Sequence, residues 1–85
     1  MNKRHQKTLA SIFAVPTSAS LKFGDIENLL LSLGAKLIEG NGSRVAFEMK
    51  KQKVFVHRPH PGKEARKYQV EAFREFLNLT GVNDE

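Results

Sequence analysis

The chain contains no cysteine, which excludes a disulfide framework and thiolate metal sites and leaves packing alone to hold the fold. It has no apolar run long enough to span a bilayer. Lys3, Arg4 and Lys7 are followed by scattered apolar residues rather than a signal-peptide core. The expectation is a soluble, cytoplasmic protein with no membrane partner. Gly40-Asn41-Gly42-Ser43 is glycine-rich but lacks the lysine-serine ending of a P-loop and precedes a strand instead of a helix, so it reads as a hairpin turn. His57 and His60 have only His5 as a further imidazole and no cysteine, so no metal and no cofactor are expected. Ser43 has no carboxylate and histidine partners in an order that would make a serine hydrolase.

The chain has 85 residues, 40% of them hydrophobic and 27% charged. That is enough for one modest core and is ordinary globular composition, so residues 1–85 read as a single domain. The net charge of +5 is unevenly placed. Between residues 44 and 67, eight basic residues (Arg44, Lys50, Lys51, Lys53, Arg58, Lys63, Arg66, Lys67) face only Glu48 and Glu64, a balance of +6, while the rest of the chain sums to −1. A local excess of this kind favours a polyanionic partner such as RNA. The plainer reading is a solvated basic face kept for solubility.

Periodicity places the elements. Leu9, Ile12 and Phe13 fall at helical spacing between His5 and Phe13, and Pro16 stops that first helix by displacing Val15 from helical angles. Residues 15–21 form a connection, with a brief extended stretch at 21–23. Ile26, Leu29, Leu30 and Leu33 make the core stripe of a second helix, with Leu31 at its margin, Asp25 and Glu27 at the positive end of the dipole and Gly34 as its stop. Three strands are expected at 35–39, 43–49 and 54–58, joined by the turns Gly40-Asn41-Gly42 and 50–53. Val45, Phe47 and Met49 alternate with Arg44, Ala46 and Glu48, as in a sheet with one buried face, and Val54 and Val56 match the buried set. Pro59 and Pro61 interrupt the third strand. A last helix begins at Lys63 or Glu64, with Val70, Phe73, Phe76 and Leu77 as its apolar face and Gly81 as its end. The fold class is therefore α+β, a three-stranded antiparallel sheet with helices packed on one face and a helix at the N-terminus.

If Met49 lies opposite Val54 in the second hairpin, Ala46 faces His57. Arg44, Ala46, Lys53, Phe55 and His57 then share the face away from the helices, with Arg44 diagonal to His57. Metal-free RNA cleavage needs a base for the 2′-hydroxyl proton, a cation for the phosphate and an acid for the leaving oxygen. His57 is a candidate base or acid and Arg44 a candidate phosphate clamp, with further contacts from His60 and Lys63 and a base stacked on Phe55. The alternative is that His57 is a solvent-facing strand residue and His60 a turn residue without a role in chemistry.

The segment from Gly42 through Ser43, Arg44, Val45, Ala46 and Phe47, followed by Val56, His57, Arg58, Pro59, His60 and Pro61 and a closing amphipathic helix, resembles the HicA family over residues 25–82. The resemblance implies a double-stranded-RNA-binding-domain-like fold at about residues 21–82, with 1–20 as an N-terminal extension. It further implies an mRNA-cleaving toxin, an endoribonuclease and hydrolase of a type II toxin-antitoxin system, held silent by a cognate HicB-like antitoxin protein. The family's catalytic histidine directly follows the glycine-serine pair, and here Arg44 stands in that position; arginine does not act as a base in a protein. Two readings follow: His57 has taken over catalysis on the same face, or the chain is a non-catalytic RNA-binding or regulatory module. Separately, residues 62–67, with Lys63, Arg66 and Lys67, are similar to the lysine-rich helix start by which double-stranded RNA-binding domains hold phosphates. The RNA-binding set is thus Arg44, Lys53, Phe55, Arg58, His60, Lys63, Arg66 and Lys67, and the catalytic pair His57 and Arg44.

Overall fold

The computed structural model describes residues 1–60 and 62–83; Pro61, read above as part of the exit from the third strand, lies outside them. Asn2 opens helix α1 (Lys3–Phe13) by accepting the His5 N–H at 2.7 Å on its side-chain oxygen, as a good N-cap does. Helix α2 (Phe23–Ser32) follows the connection, and Gly34, at φ 98°, takes the left-handed position past its end that a side chain would resist. Strands β1 (Lys36–Glu39), β2 (Arg44–Met49) and β3 (Gln52–His57) form an antiparallel sheet in the order β1-β2-β3, and helix α3 (Lys67–Leu79) closes the chain. No helix among the described residues is long and apolar enough to cross a membrane.

The α+β arrangement is the expected one: α2-β1-β2-β3-α3 is the order of a double-stranded-RNA-binding-domain-like fold, with α1 added. One face of the sheet, Val45, Phe47, Met49, Val54 and Val56, meets Leu9 and Ile12 of α1, Ile26, Leu29 and Leu30 of α2, and Val70, Phe73, Phe76 and Leu77 of α3 in a single core. Phe73 sits at its centre, edge-on to Phe47 at 5.9 Å and to Phe23 at 5.8 Å, an arrangement aromatic rings favour. Helix α1 is integral to this core, because Ile12 is fully buried. Arg74 of α3 fastens the end of α1 by donating to the Ile12 carbonyl at 2.8 Å and to the Ala14 carbonyl and Thr17 hydroxyl at 3.2 Å. Leu31 is exposed at the margin of α2, as its place in the stripe predicts.

Besides shifts of one or two residues at the start of α1 and at the strand ends, two boundaries differ from expectation in a way that changes neighbours. The turn between β2 and β3 is only Lys50-Lys51, both at positive φ (51° and 66°), so Met49 pairs with Gln52 where Val54 was expected. Two-residue hairpin loops of this form match the twist of the flanking strands, and that preference prevails although neither lysine is the usual asparagine or glycine. Helix α3 starts at Lys67, later than Lys63 or Glu64. The residues before it pair instead with the stretch ahead of α2: Lys22 bridges Glu64, Phe23 N–H donates to the Lys63 carbonyl at 2.9 Å, and Ala65 N–H to the Leu21 carbonyl at 2.8 Å. The extended stretch expected at 21–23 finds its partner there.

Candidate nucleic-acid interface

The shorter turn shifts the β2–β3 register by two residues, an even number, so the membership of each face is unchanged while cross-strand neighbours change. Arg44 is paired directly with His57, Ala46 with Phe55, and Glu48 with Lys53. On the other side of β2, Ile38 pairs with Ala46 and Lys36 with Glu48. The face turned away from the helices is therefore built in rows. Arg44 and His57 form one, Ile38, Ala46 and Phe55 the next, and Lys36, Glu48 and Lys53 the third. Phe55 is 75% exposed on it, while Ala46 is covered by its neighbours.

The Arg44–His57 row has further definition. Arg58 N–H donates to the Ser43 carbonyl at 2.9 Å, making Ser43–Arg58 a hydrogen-bonded pair. By the alternation of an antiparallel ladder, Arg44–His57 is then a non-hydrogen-bonded one, with Cα atoms about 4.5 Å apart and side chains close. The expected diagonal arrangement becomes direct juxtaposition. Arg44, Phe55 and His57 line a shallow depression. Gly40 lies beside Arg44 on β2's other flank, where a Cβ would come within 3.3 Å of the Arg44 Cβ, so glycine keeps that flank uncrowded. Ser43 Oγ lies 3.3 Å from His57 Nδ1.

The head of α3 is joined to this end of the sheet by Gln69, which is 2% exposed. Its side-chain nitrogen donates to the His57 carbonyl at 2.7 Å, and its oxygen accepts the Arg66 N–H at 3.0 Å. Arg66 and Lys67, both exposed, therefore stand at the same end of the molecule as the Arg44–His57 row. Exposed His60 and Lys63 lie on the connection between them. Of the residues expected to bind RNA, Arg44, Lys53 and Phe55 share the open face, and His60, Lys63, Arg66 and Lys67 gather around the exit of β3. Arg58 departs from the set: it follows the inward parity of Val54 and Val56, and its guanidinium is paired with Glu27 of α2 and lies 3.7 Å from Glu39 of β1. It fastens the sheet to α2. Among the described residues no three histidine, cysteine or carboxylate side chains gather to hold a metal.

Sequence reasoning missed Lys36 and Ile38 on the open face, Ser43 as the partner of His57, and Gln69. The alternation of β1 carried a signal for the first two. Ser43 becomes visible only once the hairpin register is known. Tyr68, 63% exposed beside Lys67, is a second aromatic side chain on this basic end that composition alone did not single out.

A family model described as the HicA toxin of bacterial toxin-antitoxin matches residues 23–81. No curated protein and no solved structure matches the chain.

Proposed function

Because the chain belongs to the HicA toxin family over α2 through α3, and is thus the toxin of a toxin-antitoxin system with an antitoxin as its partner, we propose that it acts in the cytoplasm by cutting mRNA at the Arg44–His57 row. The observation that carries this reading is the direct cross-strand pairing of Arg44 with His57 on the solvent face. The resemblance implies that arginine stands where the family has its histidine, and an imidazole lies immediately opposite.

In the proposed reaction the His57 imidazole takes the proton of a ribose 2′-hydroxyl. The 2′-oxygen attacks the adjacent phosphorus, the bond from phosphorus to the 5′-oxygen breaks, and the departing oxygen takes a proton from water. The products are a 2′,3′-cyclic phosphate and a 5′-hydroxyl. The Arg44 guanidinium holds the non-bridging oxygens as negative charge grows on them, which a planar two-pronged donor does well. Phe55 offers a stacking surface to a neighbouring base, and Lys53, His60, Lys63, Arg66 and Lys67 hold flanking phosphates. The partner antitoxin is of the HicB-like kind that the family implies.

The test is incubation of the purified protein and of its Arg44→Ala and His57→Ala variants with a defined RNA in EDTA, with fragment ends identified. Loss of about 10² to 10⁴ in rate is expected for His57→Ala and about 10² to 10³ for Arg44→Ala, with cyclic phosphate ends in the wild type. Wild-type cleavage by a folded His57→Ala protein refutes the assignment. RNA left intact but bound in a salt-dependent manner would instead make the chain a binding module.

A further inference from the structure

We propose that Ser43 is a positioning residue for His57. Its hydroxyl accepts a hydrogen bond from Nδ1–H and so fixes the imidazole in the tautomer whose bare nitrogen, Nε2, serves the open face. The proposal rests on the reading of His57 as the base given above and adds to it the group that makes that nitrogen available.

Both ends of the contact are held by the backbone. Ser43 is pinned by the Arg58 N–H on its carbonyl at 2.9 Å, one residue before Arg44. His57 is pinned by Gln69 on its carbonyl at 2.7 Å. Between these two fixed points Ser43 Oγ and His57 Nδ1 stand 3.3 Å apart, and among the described residues no other side chain bonds the ring. Which imidazole nitrogen carries the proton is set by the bond the other makes. A hydroxyl accepting from Nδ1–H leaves the lone pair on Nε2, where a base needs it.

Arg44 stands across the strand pair from the ring, and Gln69 ties the Arg66 N–H and the His57 carbonyl to one another. No carboxylate among the described residues is ion-paired with the imidazole. Ser43 therefore takes the orienting place that a carboxylate fills in an acid–imidazole pair. The positive charge that proton transfer puts on the ring is met by the phosphate of the RNA held at Arg44. Ser43 itself touches no substrate in this scheme and acts through His57.

The experiment reads the ring directly and the reaction separately. Long-range proton–nitrogen NMR spectra of the full-length protein, recorded where the imidazole is neutral, are expected to show His57 protonated at Nδ1. Ser43→Ala is expected to move the proton towards Nε2, and Ser43→Thr, which keeps the hydroxyl, to restore the wild-type pattern. Single-turnover cleavage of a defined RNA in EDTA is expected to fall about tenfold in Ser43→Ala, the worth of one such hydrogen bond, and to recover in Ser43→Thr. A wild-type ring protonated at Nε2, or a pattern unchanged by Ser43→Ala, overturns the proposal whether or not RNA is cut. The expected ring pattern in a protein that leaves RNA intact supports the hold of Ser43 on His57 and refutes the catalytic reading instead.

Discussion

Replacing Gln69 by leucine removes both polar contacts that tie the head of α3 to the end of β3 while keeping the volume nearly constant. The Gln69 side chain is held between the His57 carbonyl at 2.7 Å and the Arg66 N–H at 3.0 Å and is 2% exposed, so leucine leaves two backbone groups without their partners. The His57 carbonyl points away from β2, because Arg44–His57 is a non-hydrogen-bonded pair, and has no ladder partner to fall back on. The Arg66 N–H belongs to an exposed residue and recovers a bond to water. A carbonyl left unpaired against an apolar side chain costs about 1 to 3 kcal/mol, and the rescued N–H adds little, giving a loss of about 2 kcal/mol. For a domain of this size that lowers the melting temperature by about 8 to 16 °C. Gln69→Glu should be at least as damaging: it keeps the acceptor for Arg66 but sets a carboxylate against the His57 carbonyl oxygen. Urea titration and thermal melting followed by circular dichroism measure both. A Gln69→Leu protein within about 0.5 kcal/mol of wild type, the ordinary range of a surface substitution, would show that these bonds do not hold the two elements together.

Ile12→Ala, in a helix outside the region matched by the HicA family model, should lose about 3 kcal/mol in urea titration, because Ile12 is fully buried between α1 and the rest of the core; a loss below about 1 kcal/mol would mean that α1 is not an integral layer. Lys51→Gly, at a φ of 66°, should gain about 1 kcal/mol in the same assay by relieving a left-handed side-chain conformation. A loss of stability would contradict the two-lysine turn.

The elements were legible because each carries its own period: the leucines of α2, the alternation of β2 and the phenylalanines of α3 all read correctly from spacing alone. The open face was legible for a related reason, since a register error of two residues leaves Arg44, Lys53, Phe55 and His57 on one side. What could not be read were contacts set by partners distant in the chain. Lys63 and Glu64 have helical character locally, but pairing with the stretch before α2 keeps them out of the helix. Gln69 follows an arginine at the N-cap, where a serine, threonine or aspartate would have announced a capping arrangement. Arg58 looks like one more cation in a basic segment until Glu27 is brought beneath it by the packing of α2. The Ser43–His57 contact depends on the Lys50-Lys51 turn, whose residues do not advertise its form.

The rows across the sheet also have a polarity. In the row nearest the hairpin turn, Glu48 stands between Lys36 and Lys53 and cancels part of their charge. At the opposite end the row of Arg44 and His57 contains no acid, and exposed Arg66 and Lys67 stand at the same end of the molecule. The acid of the open face thus sits at the hairpin end, where Lys50 and Lys51 of the turn also lie, and the Ser43–His57 corner presents its arginine with no carboxylate in the same row. On the reading proposed above, a phosphate settles beside Arg44, where no carboxylate in the same row competes for the guanidinium.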